Sequence, residues 1–296
     1  MTQPQQPSDA RPDGAAVLLV GGAGSGKTYS VSTLIECGLD VFILGCEPRF
    51  LESIEAAIKE RNLPIDKLHW SHVYPATVGW DTLITQVRTI GSMPYESLSK
   101  IKTMTGKDQY QQFVEVYRAL SNFKDERTGK SFGPVDSWGP DRALVIDSLT
   151  GLAKMSFDLV QGGKPTAHEG EWGVAMTNLE NLLHKLTSDV RCFLVMLGHI
   201  EREPDPTGAG TMLTVGTLGR KLSPKLGRMF SEVVHCHRNG TQYQWSTITP
   251  MFDLKRRVLP LSETIPPTFK PIVDAWRERL TTRQLTATST HAGEQS

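Results

Sequence analysis

No apolar stretch in the chain approaches the roughly 20 residues needed to cross a bilayer. Residues 1–14 are polar and proline-rich, without the hydrophobic segment of a secretory signal. These two absences exclude a membrane protein as the reading and favour a cytoplasmic one. Net charge is also missing, because 32 basic residues balance 32 acidic ones. The chain is therefore no bulk polycation, and contact with a polyanion would have to come from local basic patches summed over an oligomer. Cysteine is scarce: Cys37, Cys46, Cys192 and Cys236 show no paired or CxxC spacing, and each sits beside apolar residues. That pattern reads as buried free thiols in a reducing compartment, not as a disulfide framework or a zinc site. No internal repeat is visible. At 296 residues the chain has room for one large α/β domain or two small ones. Its polar residues concentrate in the two ends and one internal segment.

Against these absences stands one strong presence. The apolar run Ala15-Ala16-Val17-Leu18-Leu19-Val20 leads directly into Gly21-Gly22-Ala23-Gly24-Ser25-Gly26-Lys27-Thr28. This is G-x-x-x-x-G-K-[ST] in its required context, a buried strand feeding a glycine-rich turn and then a helix. The glycines let backbone N–H groups converge on phosphate oxygens. Lys27 neutralises terminal phosphates, and the Thr28 hydroxyl suits Mg²⁺. The helix opening near Lys27 turns its positive dipole end to the same anion. Residues Gly21, Gly22, Ala23, Gly24, Ser25, Gly26, Lys27, Thr28 and Tyr29 are thus the expected contacts of a nucleoside triphosphate, ATP with Mg²⁺.

Strand and helix patterns alternate along the rest of the chain. Helical spacing is expected over 27–37, stopped by Gly38, and over 50–60 and 80–90, with strands at 41–44 and 69–73. A segment rich in Lys, Gln, Ser, Asp and Gly, about 91–139, reads either as an insertion on the core (a partly mobile flap) or as a long connection holding one helix near 109–121. Strands follow at 143–146 and 192–197, and helices at 149–160 and 172–186. Residues 201–219, with several glycines and prolines, read as a flexible loop. Ser223-Pro224 reads as the N-cap and first turn of a helix to about 230. Strands 233–238 and 242–249 flank Asn239-Gly240, a type I′ hairpin signal. The expected domain is 14–280, between a disordered arm at 1–13 and a disordered tail at 281–296. Parallel βα units ending in an antiparallel hairpin make an α/β P-loop core with a mostly parallel central sheet flanked by helices.

Hydrolysis would need more than a P-loop. Asp147 closes the apolar strand Leu144-Val145-Ile146, where a carboxylate can hold the Mg²⁺ shell opposite Thr28; it also fits a helix N-cap. Glu47 follows the strand Val41-Phe42-Ile43-Leu44 and is either a base for the attacking water or a surface-loop glutamate. His199 ends the fourth strand and is either a phosphate sensor or a structural histidine. Lys255 and Arg257 fall on one face of an extended segment, as cations for a neighbouring subunit or as a solvated basic edge. His235-Cys236-His237 alternates faces along a strand and cannot converge on one metal ion.

Together these residues resemble the RecA-like ATPase superfamily, and more closely the phage-encoded RecA-like ATP-binding proteins associated with single-strand annealing recombination. The resemblance covers about 15–277 through short motifs: Leu44-Gly45-Cys46-Glu47, Asp147-Ser148-Leu149, Leu197-Gly198-His199-Ile200-Glu201-Arg202-Glu203, and Asp253-Leu254-Lys255-Arg256-Arg257 with the ending KRRVLPLSETIPPTF. It implies that Glu47 is the water-activating base, Asp147 the metal-organising acid and His199 the sensor. Lys255 and Arg257 would act across a subunit interface, which implies a homo-oligomeric ring or filament. It further implies single-stranded DNA as partner, through the loop opening at 201, and phage or host recombination proteins as possible associates. The cluster Arg220, Lys221, Lys225 and Arg228 reads either as a phosphate track at the base of the 201–219 loop or as a solvated helix face. No primase, protease or separate oligomerisation domain is expected beside the core. Two other readings stay open: a DNA motor (helicase or packaging ATPase), and a nucleotide-gated interaction protein with negligible turnover.

Overall fold

Four of the apolar runs become neighbouring inner strands of one sheet. The computed structural model describes residues 14–74, 79–94, 97, 110–162, 167–204, 211–249 and 253–293. Its strands are β1 (Ala16–Gly21), β2 (Asp40–Gly45), β3 (Leu68–His72), β4 (Arg142–Asp147), β5 (Phe193–Pro204), β6 (Thr211–Val215), β7 (Glu232–Asn239) and β8 (Gln242–Ser246). They lie in the order β3-β2-β4-β5-β1-β7-β8, with β6 paired to β5. All pairings are parallel except β5–β6 and β7–β8. This is the mixed α/β sheet with a C-terminal antiparallel hairpin that the sequence predicts.

Both faces of the inner strands are covered, so their side chains sort by parity. Leu18, Val20, Phe42, Leu44, Leu144, Ile146, Leu194 and Met196 enter one core. Val17, Leu19, Val41, Ile43, Ala143, Val145, Phe193 and Val195 enter the other. The first core is closed by helices from which Phe113, Val116, Leu152, Leu179, Leu183, Leu222 and Leu226 point inward. The second is closed by the helix after the P-loop, by Phe50–Glu60, and by the C-terminal helix through Ile272, Val273 and Trp276. Each such large side chain contributes roughly 1.5–3 kcal/mol on burial. Helix Trp80–Gly91 differs, since its apolar residues Trp80 and Val87 are 81% and 68% exposed.

Several expectations are corrected. Of the two readings of 91–139, the long connection with one helix fits the described part better than a flap. Gln112–Ser121 is helical, and Phe113, Val116, Leu120, Phe123, Val135 and Trp138 are core residues, while 95–96 and 98–109 lie outside the described residues. The same segment closes the free edge of β3. The Asp125 carboxylate, fully buried, accepts from the Trp70 amide, while the Glu126 amide donates to Trp70 O and its carboxylate accepts from the His72 amide. At the opposite end, Trp245 of β8 exchanges backbone hydrogen bonds with Ile265, and the Thr247 amide donates to Ser262 O.

Strand β5 does not stop at 197 but runs through Pro204, and its extension pairs with β6, so much of the expected loop is a hairpin. The tip, 205–210, lies outside the described residues. The helix expected to open at Ser223 instead spans Gly219–Met229 with Pro224 inside it. Burial of Leu222, Leu226 and Phe230 outweighs the one helical bond that the proline removes. Ser223 caps no helix; its hydroxyl accepts from the Val215 amide.

In the β7–β8 hairpin Asn239 pairs with Gln242, so Gly240-Thr241 forms the turn. Only Gly240 has positive φ there, at +59°, which is not a type I′ turn. The C-terminal helix continues to Gly293 across most of the expected disordered tail. Beyond the buried anchor at Trp276, no glycine or proline interrupts it before that residue. The arm 1–13 and residues 294–296 lie outside the described set.

Candidate active site

The register of the sheet places the carboxyl ends of β1, β2, β4 and β5 side by side. Gly21 pairs with His199, Gly45 with Asp147, and Asp147 with Leu197. Functional side chains emerge at this edge because the chain leaves a buried strand there and turns away from the sheet.

The P-loop is held from both sides. A Cβ at Gly21 would lie 2.4 Å from the Cys236 carbonyl and 2.6 Å from Ser25 Oγ. Gly26 has φ +85°, and a Cβ there would meet the Tyr243 ring at 2.6 Å. Both positions exclude a side chain on packing grounds, and the second on backbone conformation as well. Lys27 is 6% exposed, and its Nζ donates to Gly21 O at 2.8 Å and Gly22 O at 2.9 Å. Burial draws its pKa below the ordinary lysine value, against the opposing pull of Cys236, Asp147 and Glu47.

Thr28 Oγ1 donates to Asp147 Oδ2 at 2.8 Å. Burial pushes the Asp147 pKa up to about 6, although the Thr28 hydrogen bond acts against it. Asp147 does not cap the following helix. Ser148 does, with its Oγ accepting from the Gly151 amide at 3.2 Å. The Asp147–Ser148 peptide bond is cis.

Glu47 is no free surface glutamate. Its Oε1 accepts from Ser148 Oγ, and its Oε2 lies 3.1 Å from His199 Nε2. The His199 hydrogen bond holds the Glu47 pKa below the ordinary carboxyl value; burial opposes this and Ser148 adds to it. His199 lies inside β5, not at its end, because polar residues continue the strand outward. Its backbone is tied to the hairpin: Gly216 N donates to His199 O at 2.7 Å, and Thr150 Oγ1 donates to Gly216 O at 3.1 Å.

Lys27, Thr28, Glu47, Asp147 and His199 thus border a single cleft of about 760 Å³ with the P-loop, Tyr29, Thr241 and Tyr243. Two residues stand out to which motif reading assigned no role. Ser148 was legible as a small polar residue after the strand, but its contact with Glu47 joins separate elements. Tyr243 carries no motif at all.

Lys255 and Arg257 do not line this cleft. Lys255 Nζ donates to Gly227 O at 2.7 Å, near the end of its helix, and Arg257 is exposed. Lys255 forms a bridge with Val233, and the chain bends from Arg257 onward. Of the basic cluster, Lys225 is paired with Glu180 at 2.9 Å and Arg228 is exposed. The side chains of Arg220 and Lys221 lie outside the described set. His235 and His237 stack with centroids 5.4 Å apart, while Cys236 is buried. Among the described residues, no group of three or more His, Cys, Asp or Glu side chains is gathered for a metal ion. Among them too, no helix is long and apolar enough to cross a membrane.

No protein-family model matches the chain, and no curated protein sequence does. Solved structures similar to it include the RadB recombinase, at 12% identity over 86% of each chain with a TM-score of 0.36. They also include a prototypical ATPase from the type III secretion system of pathogenic bacteria, at 12% identity and TM-score 0.36. That alignment covers 75% of this chain, which spans about half of the ATPase, 52% of its length.

Proposed function

We propose that the chain is a Mg²⁺-dependent ATPase with a RecA-like core, acting on single-stranded DNA in recombination or annealing as a homo-oligomer. The observation that carries the ATPase reading is the convergence of P-loop, Thr28–Asp147 pair and Glu47 on one cleft at the carboxyl edge of the sheet. Lys27 leaves the carbonyls of Gly21 and Gly22 to meet the terminal phosphates, and the backbone N–H groups of 22–28 cradle the rest. A buried carboxylate with a hydroxyl against it is an oxygen donor set suited to Mg²⁺. The raised Asp147 pKa supports that fit, since the chain's own groups compensate its charge incompletely. Bound Mg²⁺ would neutralise charge on the phosphates. Glu47 accepts a proton from the attacking water, while His199 and Ser148 hold its carboxylate in place.

Two observations support the wider reading. His199 sits on the strand that continues into the β5–β6 hairpin, so a group beside the phosphates is joined to a strand extension whose Glu201 and Arg202 are exposed. Lys255 and Arg257 lie away from their own cleft, as cations serving a neighbouring subunit would.

ATP turnover, with and without single-stranded DNA and beside light scattering for oligomer size, tests the whole reading. Mg²⁺-dependent hydrolysis that is lost in Lys27→Ala and stimulated by DNA is expected. Undiminished hydrolysis in Lys27→Ala would refute the site, and a strictly monomeric, fully active protein would refute the action in trans.

A further inference from the structure

Past Thr28 the cleft changes character. Its phosphate end is made of backbone amides, Lys27 and Asp147, whereas its other end carries two tyrosines. Tyr29, on the first turn after the P-loop, and Tyr243, on β8, have ring centroids 5.2 Å apart and planes tilted by 44°. Both border the cleft, and neither belongs to the two sheet cores. Tyr29 is pinned: its hydroxyl donates to Glu60 Oε2 at 2.9 Å, and the Arg61 guanidinium lies 5.1 Å from its ring centroid. Tyr243 lies directly over Gly26, so its ring is fixed against the loop that would hold the phosphates. The remaining wall here is mostly polar, with Glu52, Ser53 and Glu60. Phe50 also borders the cleft but is 6% exposed and packed into the second core, so the two tyrosines offer a planar ring its main stacking surface at this end.

We propose that Tyr243, braced by Tyr29, is the base-stacking residue of the cleft and makes it prefer purine to pyrimidine nucleoside triphosphates. This rests on the reading of the cleft as a nucleotide site. A nucleotide anchored by its phosphates on the P-loop extends its base past Thr28 toward the aromatic pair. A bicyclic base overlaps a tyrosine ring more fully than a monocyclic one does, and loss of such a stack weakens binding about tenfold or more.

The test is competitive binding of ATP, GTP, CTP, UTP and inorganic triphosphate, each with Mg²⁺, to the full chain. Tyr243→Leu is expected to weaken ATP and GTP about tenfold, CTP and UTP less, and inorganic triphosphate not at all, while Tyr243→Phe keeps the purine affinity. The fluorescence of 2-aminopurine riboside triphosphate should be quenched on binding the unmodified protein, a readout that needs no variant to fold. Equal affinity for all four nucleotides, absence of quenching, or a uniform loss that includes inorganic triphosphate would overturn the proposal, leaving Tyr243 a support for the loop. Failure of the underlying reading looks different: inorganic triphosphate would bind Lys27→Ala as well as the unmodified protein.

Discussion

Glu47 and His199 meet at 3.1 Å although their strands, β2 and β5, are not neighbours. Strand β4 lies between them and ends in Asp147, and the next residue, Ser148, contacts the other Glu47 oxygen. Residues on or just after three neighbouring strands therefore fix one carboxylate. Glu47→Gln should preserve ATP affinity within a few-fold and lower turnover by about 10²–10⁴. His199→Ala should cost less, because Ser148 still holds Glu47. Single-turnover hydrolysis beside equilibrium ATP binding checks both, and a Glu47→Gln protein that turns over normally places the base elsewhere.

The Thr28–Asp147 contact predicts a specific metal phenotype. Asp147→Asn should raise the Mg²⁺ concentration for half-maximal turnover by about 10–100-fold, the usual effect of losing a group that orients a metal's shell. Titrating Mg²⁺ at saturating ATP reads this directly. An unchanged Mg²⁺ requirement would remove Asp147 from that role.

Asp125 predicts a stability effect far from the cleft. Burial works to raise its pKa, but hydrogen bonds from Thr128, the Trp70 amide and His69 outweigh it and hold the carboxyl below its ordinary value of 3.8. A depressed native pKa gives stability that is complete above the unfolded value and drains away as pH falls through the native one. Asp125→Ala should therefore destabilise by about 2–4 kcal/mol near neutrality. Asp125→Asn should cost less, with a deficit that shrinks below pH ~4. Denaturant unfolding across pH measures both.

The thiols should separate into one reactive group and three protected ones. Cys46, Cys192 and Cys236 are buried, and burial pushes Cys192 and Cys236 up to about 12 and Cys46 well above its ordinary value. Cys37 is only part-buried, with a more modest upward shift caused first by burial. A thiol-reactive dye should label Cys37 alone in the native protein, with a rate that climbs as pH rises through 9 and beyond, since the thiolate reacts. All four should react in denaturant, and rapid native labelling of more than one would contradict the burial.

Strand ends were the most legible part of the sequence, for a physical reason. A strand covered on both faces must be apolar at every position, so Leu18, Phe42, Val145 and Val195 announce their strands without help from periodicity. The residue where apolarity stops is then the residue at the sheet edge, which is how Asp147 could be read. Glu47 and His199 could be nominated only as alternatives, because their meaning lies in a contact between separate strands.

The extension of β5 was hidden because Ile200-Glu201-Arg202-Glu203 carries no apolar run, and Glu201 and Arg202 are exposed. The role of 110–138 was hidden because Phe113, Val116, Leu120 and Phe123 are embedded among polar residues whose exposure on the outer face no local pattern reveals. Pro224 misled, since its preference for a first turn gave way to the packing of Leu222 and Leu226.

Both outer strands of the sheet are occupied by irregular stretches of the same chain, Asp125 and Glu126 against β3 and 262–265 against β8. Outward amides and carbonyls at Trp70, Trp245 and Thr247 are already bonded within the chain, so at those positions a second molecule finds no backbone ladder to extend. Copies of this protein that met across those two edges would have to recognise one another by side chains. A single surface substitution there would then break such a contact while leaving the fold intact.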